Sequence, residues 1–238
     1  MNLILFTPQE TGPLLPRQDP RAQHILKVLR RQPGDSFDAG LIDGPRGKGT
    51  LTGIDEAGLH LCFAWGEAPP PLSPVSLLVG LPRPQTVRKI LLEATTLGVE
   101  AIHFFTSARG EPGYAQSTLW SSGEWRRIAI SGAEQAFCTR LPVITWEQSL
   151  QDEIARIPAD CMRLALDNYE SPSALGQVAV RDGKIVLALG SERGWSKDER
   201  VLLANHAFSF VHLGPRVLRT ETAAVAAVSI VLSKLGRA

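Results

Sequence analysis

The chain has 238 residues, 44% of them hydrophobic and 21% charged, which is the composition of an ordinary soluble globular protein with a sizeable core. Its formal net charge of +1 gives no information about partners overall, so any nucleic-acid surface has to be local. No run approaches the about 18 apolar residues of a membrane span, and the cysteines form no metal-ligand pattern, so we expect a cytoplasmic protein without a metal or a membrane partner.

The first 70 residues predict a small β-rich domain with one helix. Strands are predicted at residues 3–6, 36–41, 49–54 and 59–64, because the sequence alternates and carries hairpin turn signals at Asp43-Gly44 and Arg46-Gly-Lys-Gly49. Residues 21–31 have helical spacing. The buried stripe of this helix consists of Ala22, Ile25, Leu26 and Leu29. A small β-barrel with one helix fits this pattern.

Residues 66–74 contain four prolines, which suits an extended spacer rather than a helix or a central strand. The spacer separates a first domain, residues 1–70, from a second domain, residues 75–238. In the second domain, strands are predicted at residues 75–81, 99–105, 143–144, 162–166, 184–189 and 208–213. Helices are predicted at residues 86–97, 124–137, 147–157 and 220–235, and Ser196-Lys-Asp-Glu199 is a capping box that opens another. This alternation indicates an α/β fold with a buried parallel sheet.

Two loop signatures lie close together near the C-terminus. The first loop is Leu189-Gly-Ser-Glu-Arg-Gly-Trp-Ser196, and the second loop is Leu213-Gly-Pro-Arg-Val-Leu-Arg-Thr-Glu-Thr-Ala223. Each follows an apolar run and opens a helix, which places it at the carboxyl end of a strand, where open α/β sheets bind ligands. We therefore predict that the two loops build one pocket. The sequence has neither the glycine fingerprint of dinucleotide sites nor a P-loop.

The two loops resemble the cofactor loops of the SPOUT class of RNA methyltransferases, and more narrowly the family that methylates N3 of a uridine in small-subunit ribosomal RNA. The second loop matches the family's Leu-Gly-x-Arg-Ile-Leu-Arg-Thr-Glu-Thr-Ala almost letter for letter. The first loop departs from Gly-Pro-Glu-Gly-Gly, because Ser191 replaces the proline and Arg193 the inner glycine. Weaker matches are Ala133-Glu-Gln-Ala-Phe-Cys-Thr-Arg-Leu-Pro142, Leu97-Gly-Val99, and His24-Ile-Leu-Lys-Val-Leu-Arg30 followed by Pro33-Gly-Asp35.

The resemblance implies a PUA-like RNA-binding barrel for residues 1–70. For residues 75–238 it implies a SPOUT-type knotted parallel-sheet domain with a C-terminal trefoil knot. Relatives bind the cofactor at a homodimer interface, and the terminal helix suits such an interface. Its small residues, which permit close approach, are Ala223, Ala224, Ala226 and Ala227, and its apolar face consists of Val225, Val228 and Leu232.

The implied cofactor is S-adenosylmethionine, which needs backbone donors and acceptors for the edge of the adenine and apolar walls for the ring. The expected cofactor-binding residues are Leu166, Leu189, Gly190, Glu192, Leu213, Gly214, Leu218 and Thr222.

Methylation of uridine N3 requires removal of a weakly acidic proton or stabilisation of the anion as it forms. Arg219 and Glu221 are the leading catalytic candidates. Arg219 is expected to stabilise the base or a phosphate, and Glu221 to orient Arg219 or to cap the helix. Glu134 and Arg140, in the third matching segment, are expected to line the uridine pocket.

The residues expected to bind RNA are basic. On a helix spanning residues 21–31, His24, Lys27 and Arg31 share the face opposite the apolar stripe. The full set is His24, Lys27, Arg30, Arg31 and Arg193. The alternative interpretation of this helix is an ordinary solvated face.

The sequence therefore predicts an S-adenosylmethionine-dependent methyltransferase that acts on uridine N3 of small-subunit (16S) ribosomal RNA, with ribosomal RNA or the small subunit as its partner. One alternative is a SPOUT methyltransferase with another RNA target, because the first loop departs from the family. A second is a non-catalytic RNA-binding or ribosome-assembly factor. A small-molecule α/β enzyme fits less well, because it needs neither the basic helix nor a separate β-rich domain.

Overall fold

The computed structural model describes residues 3–237. The chain forms two compact units. Among the described residues, the first unit comprises those up to Pro71 together with Ala133–Leu141, and the second comprises Leu72–Gly132 and those from Pro142 onward. None of the helices in the described part of the chain is long and apolar enough to cross a membrane.

The first unit contains a curled mixed sheet of five strands in the order β1-β3-β4-β5-β2. Its strands are β1 (Ile4–Phe6), β2 (Leu14–Pro16), β3 (Ser36–Leu41), β4 (Arg46–Ile54) and β5 (Gly58–Trp65). Strands β1 and β3 are parallel, and the other pairs are antiparallel. Four of these strands were predicted. The exception is β2, which is a short edge strand that contains Pro16 and carries no alternating pattern.

The helix predicted over residues 21–31 is shorter and irregular, so this prediction was wrong in its extent. Helix α1 covers Pro20–Gln23, and a π-helical turn continues it over His24–Val28. The helix stops because Arg30 adopts a left-handed backbone (φ 54°) and the N–H of Arg31 bonds back to the carbonyl of Ile25. Arg30 and Arg31 therefore lie beyond the helix, and His24, Lys27 and Arg31 do not share one helical face.

The second unit contains a parallel sheet of seven strands in the order β10-β12-β9-β11-β6-β7-β8. Its strands are β6 (Ser73–Gly80), β7 (Val99–Thr106), β8 (Val143–Ser149), β9 (Met162–Leu166), β10 (Ser173–Ala174), β11 (Ile185–Leu189) and β12 (Ser209–His212). All six pairings are parallel. The predicted α/β class with a parallel sheet is confirmed. Every residue of β11 is buried, as expected for a central strand covered on both faces.

The remaining helices are α2 (Pro84–Thr96), α3 (Thr118–Ser121), α4 (Glu124–Gln135), α5 (Leu150–Arg156), α6 (Lys197–Asn205) and α7 (Thr220–Lys234). The predicted capping box is present, because Ser196 and Glu199 cap α6 reciprocally. The helix expected at residues 147–157 begins later, at Leu150. Strand β8 continues through Ser149, whose side chain forms a second capping box with Asp152. The spacing of the apolar residues did not reveal this cap.

Helix α7 packs against α2 and the sheet within its own unit. Ala224, Ala227, Val228 and Leu232 are buried in this core. The sequence assigned these residues to a dimer interface, and that assignment was wrong because they already pack inside the subunit. The face of α7 outside the core carries Thr222, Val225, Ala226, Ser229 and Ser233, which are exposed or half-buried.

Candidate functional site

Three neighbouring strands end at one edge of the parallel sheet: β9 at Leu166, β11 at Leu189 and β12 at His212. The first loop, the second loop and residues 167–169 enclose a cavity of about 230 Å³ at this edge. The two loops thus share one cavity, as predicted. Of the predicted cofactor-binding residues, those that line it are Leu166, Leu189, Gly190, Glu192, Leu213 and Leu218.

The first loop is a tight turn. The N–H of Gly194 bonds to the carbonyl of Ser191 at 2.8 Å, and Gly194 has a positive φ of 69°. A Cβ atom at Gly190 would lie 3.0 Å from the backbone of Gly194, so the turn leaves little room there. Arg193 does not have a positive φ, so a side chain at this position of the turn causes no backbone strain.

Trp195, in the first loop, is buried and anchors this loop to the protein interior. Its indole N–H donates to the carbonyl of Leu166 at 2.8 Å, and its ring stacks on Phe105 with centroids 5.8 Å apart. Only 2% of Trp195 is exposed. The indole therefore ties the first loop to the end of β9 and fixes the floor of the cavity.

The second residue of the second loop is Gly214, whose φ of 111° is a left-handed conformation that favours glycine. Its N–H donates to Nδ1 of His212 at 3.0 Å. Gly214 does not line the cavity, so its place in the site is to turn the chain. Thr222 is exposed and does not line the cavity either. Thr220, two residues earlier on α7 and therefore on another helix face, is 9% exposed and lines the cavity instead.

A buried ion pair braces the cavity from the side. Nε of Arg200 lies 2.6 Å from Oδ2 of Asp167, and the two side chains are 14% and 1% exposed. Arg200 also donates to the carbonyl of Trp195, and Asp167 accepts from the N–H groups of Tyr169 and Glu170. Although burial opposes ionisation, these hydrogen bonds and the charge of Arg200 lower the pKa of Asp167. The pair thus connects the first loop to the segment after β9.

Replacement of Arg200 by methionine is expected to lower the free energy of unfolding by about 3 kcal/mol at pH 7, because Asp167 is left buried and unpaired. The lowered pKa of Asp167 means that the pair stabilises the fold above the ordinary aspartate pKa of about 3.9 and that this contribution is lost as the pH falls further. Urea unfolding at pH 7 and pH 3 measures the difference. The matched control is Arg181→Met, at an exposed arginine. A loss no larger than that of the control, or one independent of pH, would contradict the assignment.

A second cavity, of about 540 Å³, adjoins the first and shares residues of both loops with it. Arg219 and Glu221, the leading catalytic candidates, line this second cavity, and Arg193 lines both. Glu221 pairs with Lys89 at 3.0 Å and not with Arg219, so the expected direct orientation of Arg219 by Glu221 is absent. Burial works against ionisation of Glu221, but hydrogen bonds and the charges of Lys89 and Arg219 lower its pKa.

Glu134 and Arg140 lie in the first unit and line neither cavity of the described residues. Glu134 accepts a hydrogen bond from the N–H of Leu5 at 3.0 Å, and burial raises the pKa of its carboxyl. Arg140 donates to the carbonyls of Pro69 and Pro70. These partners hold both side chains within their own unit, and their expected position at the uridine pocket stays a prediction.

The predicted RNA-binding residues of the first unit are not equally accessible. Lys27 and Arg30 are exposed, whereas His24 and Arg31 are half-buried. Nε of Arg31 is buried without a hydrogen-bond partner among the described residues. Lys27 and Arg30 are therefore the better placed of the four to contact a phosphate.

Sequence reasoning missed several residues of the site. The sequence contains a signal for Asp167, because this residue directly follows a predicted strand and so lies at the sheet edge that carries the two loops. Arg200, Thr220 and Arg109 had none, because their importance depends on which face of a helix or turn meets the cavity. No group of three or more metal-ligating side chains occurs within residues 3–237.

Comparison with known proteins places this site in a class. A family model described as an RNA methyltransferase domain matches residues 68–232, which is more than half of the chain. The fold and the paired loops thus define a protein of the RNA methyltransferase class. Among curated proteins, the ribosomal RNA small subunit methyltransferase E of Treponema pallidum is 36% identical over 98% of this chain and 91% of its own length. The chain belongs to the ribosomal RNA small subunit methyltransferase E family.

Other relatives agree with this assignment. The ribosomal RNA small subunit methyltransferase E 1 of Borreliella burgdorferi is 28% identical over 99% of both chains. The fold matches the ribosomal RNA small subunit methyltransferase E of Neisseria gonorrhoeae bound to S-adenosyl methionine, with a TM-score of 0.77, 24% identity and coverage of 98% and 97%. It also matches a probable rRNA-methyltransferase from Porphyromonas gingivalis, with a TM-score of 0.84, 23% identity and coverage of 99% of each chain.

Proposed function

We propose that this protein transfers a methyl group from S-adenosylmethionine to N3 of a uridine in 16S ribosomal RNA. The observation that carries the proposal is the cavity that both loops share at the carboxyl edge of three adjacent parallel strands. Family membership and the names of the relatives supply the substrate class.

The residues of the first cavity suit S-adenosylmethionine. Leu166, Leu189, Leu213 and Leu218 supply apolar walls for an adenine ring, and the backbone of the two loops supplies polar groups for its edge. Glu192 lines the same cavity and accepts a hydrogen bond from the hydroxyl of Thr86 at 3.0 Å, so its carboxylate is held in place. The cofactor supplies an activated methyl group when it is bound.

The catalytic candidates lie in the adjoining cavity. Arg219 forms no ion pair within the described residues, so its guanidinium is available to stabilise negative charge on a uracil ring. The carboxylate of Glu221 is ionised at neutral pH because its pKa is lowered, and Lys89 holds it. We assign Arg219 to stabilisation of the N3 anion, and Glu221 to the polar environment of the base.

The proposed architecture follows the family. Residues 1–70 are assigned to a PUA-like barrel that binds RNA through His24, Lys27, Arg30 and Arg31, and residues 75–238 to a SPOUT domain with a trefoil knot. The strand order supports the knot, because β12 lies between β9 and β10, which the chain joins earlier through residues 167–172. A threaded chain contains such an inserted strand, which it shares with unthreaded split βαβ units.

We further propose a cytoplasmic homodimer that uses the outer face of α7. Thr222, Val225, Ala226 and Ser229 on this face are small enough for close approach of a second copy. The inner face, with Val228 and Leu232, is already used by the core.

Two measurements test the proposed function. Calorimetric titration with S-adenosylmethionine is expected to show binding, and mass spectrometry of small-subunit ribosomal RNA treated with enzyme and cofactor is expected to show one methyl group on a uridine base. Absence of cofactor binding, both with and without RNA, would instead favour a non-catalytic RNA-binding factor. A methyl group on another nucleotide would keep the enzyme class and change the target.

A further inference from the structure

The second cavity is rich in arginine. Its guanidinium groups belong to Arg83, Arg109, Arg193 and Arg219. Arg83 is paired with Glu192 at 3.2 Å, whereas the other three form no ion pair with a carboxylate of residues 3–237. The acidic lining residues are Glu111, Glu192 and Glu221, and the last is paired with Lys89. Three arginines of the described lining are therefore unpaired, and Glu111 is its one acid without an ion pair. This excess of positive charge suits an anionic ligand.

Thr220 adds a neutral donor to the lining of the second cavity. It is 9% exposed and lies on the boundary between the two cavities, whose linings it shares. Its hydroxyl forms no side-chain hydrogen bond with the described residues and is not one of their fully buried unpartnered atoms, so the hydroxyl is open to the cavity. A ligand oxygen in the cavity would satisfy this hydroxyl.

Hydrogen bonds hold Arg109 and the segment that carries it in place. The buried carboxylate of Glu199 accepts hydrogen bonds from the hydroxyl of Ser107 at 3.0 Å and from the N–H of Ala108 at 2.9 Å. Nη1 of Arg109 donates to the carbonyl of Arg193 at 3.1 Å, which links the segment after β7 to the first loop. The remaining N–H groups of this guanidinium have no partner among the described residues, so Arg109 is positioned and still able to bind.

We propose that the second cavity binds a phosphodiester group of the RNA strand beside the target uridine, with Arg109 and Thr220 as donors. This inference rests on the proposed function, because it takes the ligand to be the RNA substrate. Arg109, Arg193 and Thr220 present charge-assisted and neutral donors to phosphate oxygens, and arginine matches phosphate in a bidentate geometry. The cavity adjoins the cofactor cavity, so the bound phosphate would place the neighbouring base next to the methyl donor.

The test compares Arg109→Ala with Arg181→Ala, which removes the same charge from an exposed position outside this cavity. The probe is unmethylated small-subunit ribosomal RNA, as a free transcript and in reconstituted subunits. Arg109→Ala is expected to raise the apparent KM for RNA about tenfold or more, with unchanged affinity for S-adenosylhomocysteine. It is also expected to reduce the log–log salt slope of RNA binding by about 0.7, the change for one lost phosphate contact on a single strand. A purely structural role would not change that slope.

Thr220 supplies the second arm of the test. Thr220→Val keeps the volume and removes the hydroxyl, and it is expected to raise the KM for RNA severalfold, whereas Thr220→Ser restores it. If Arg109→Ala changes the KM for RNA and the salt slope no more than Arg181→Ala does, the proposal is overturned. Methylation of RNA by the wild-type protein would in that case still support the proposed function. Loss of S-adenosylhomocysteine affinity with an unchanged KM for RNA would assign the cavity to the carboxylate of the cofactor and would also overturn it. If the wild-type protein methylates no RNA, the proposed function itself fails.

Discussion

Replacement of Gly80 by alanine is expected to weaken binding of S-adenosylmethionine at least about fivefold, although Gly80 lines neither cavity. Gly80 ends β6 opposite the first loop, and a Cβ atom there would lie 2.6 Å from the backbone nitrogen of Ser191. The same atom would lie 3.1 Å from the carbonyl carbon of Gly190. These contacts are with backbone, so the added methyl group can be accommodated only if the first loop moves.

The expected size follows from the cost of overpacking. Forcing an extra methyl group into a close-packed site costs about 1–3 kcal/mol, which corresponds to roughly five- to 150-fold when the strain is carried by the bound state. Gly176→Ala is the matched control, because a Cβ atom at Gly176 has no neighbour within 4 Å. Calorimetry with S-adenosylmethionine and thermal unfolding of both variants separate a moved loop from a lost fold. Unchanged affinity in a folded Gly80→Ala protein would place the cofactor site elsewhere.

Replacement of Arg219 by alanine is expected to lower kcat about 100- to 1,000-fold with little change in cofactor affinity. Arg219 precedes the first residue of α7 and lines the second cavity but not the first. A cation that stabilises charge only as N3 loses its proton contributes to the transition state and not to cofactor binding. Removal of one such donor typically costs about this factor.

The second loop offers its own control. Arg216 carries the same charge three residues earlier, is exposed, and lines neither cavity of the described residues. Arg216→Ala is therefore expected to keep near wild-type kcat, and single-turnover methylation of small-subunit ribosomal RNA measures both variants. Equal effects of the two substitutions would show that Arg219 acts through general charge and not at the base.

The residues of the site depend on one another. Trp195 and Arg200 both connect the first loop to the end of β9, the former through the carbonyl of Leu166 and the latter through Asp167. Glu199, on the same helix as Arg200, holds the segment that carries Arg109. Helix α6 is thus the element that sets the relative positions of both cavities, and its capping box fixes where it begins.

The sequence by itself determined the class of fold and the place of the site. Buried runs rich in Leu, Val and Ile, separated by helical spacing, specify a parallel sheet because both faces of such strands are covered. The residue sequence of the second loop identified the family, and the position of both loops directly after predicted strands located the cavity. Both features are local in the chain, so the sequence contains them.

Tertiary structure alone decided which residues face the ligand. Thr220 and Thr222 are equivalent in sequence, yet only the first meets the cavity, because positions two apart on a helix point in different directions. Asp167 and Arg200 are 33 residues apart and meet only because β9 and the start of α6 lie at one sheet edge. Val228 and Leu232 show the same limit of sequence-based prediction. An apolar helix face can pack against the sheet of its own chain or against a second copy of the chain, and the sequence does not specify which. Side-chain direction and long-range contact arise from packing, which local sequence does not contain.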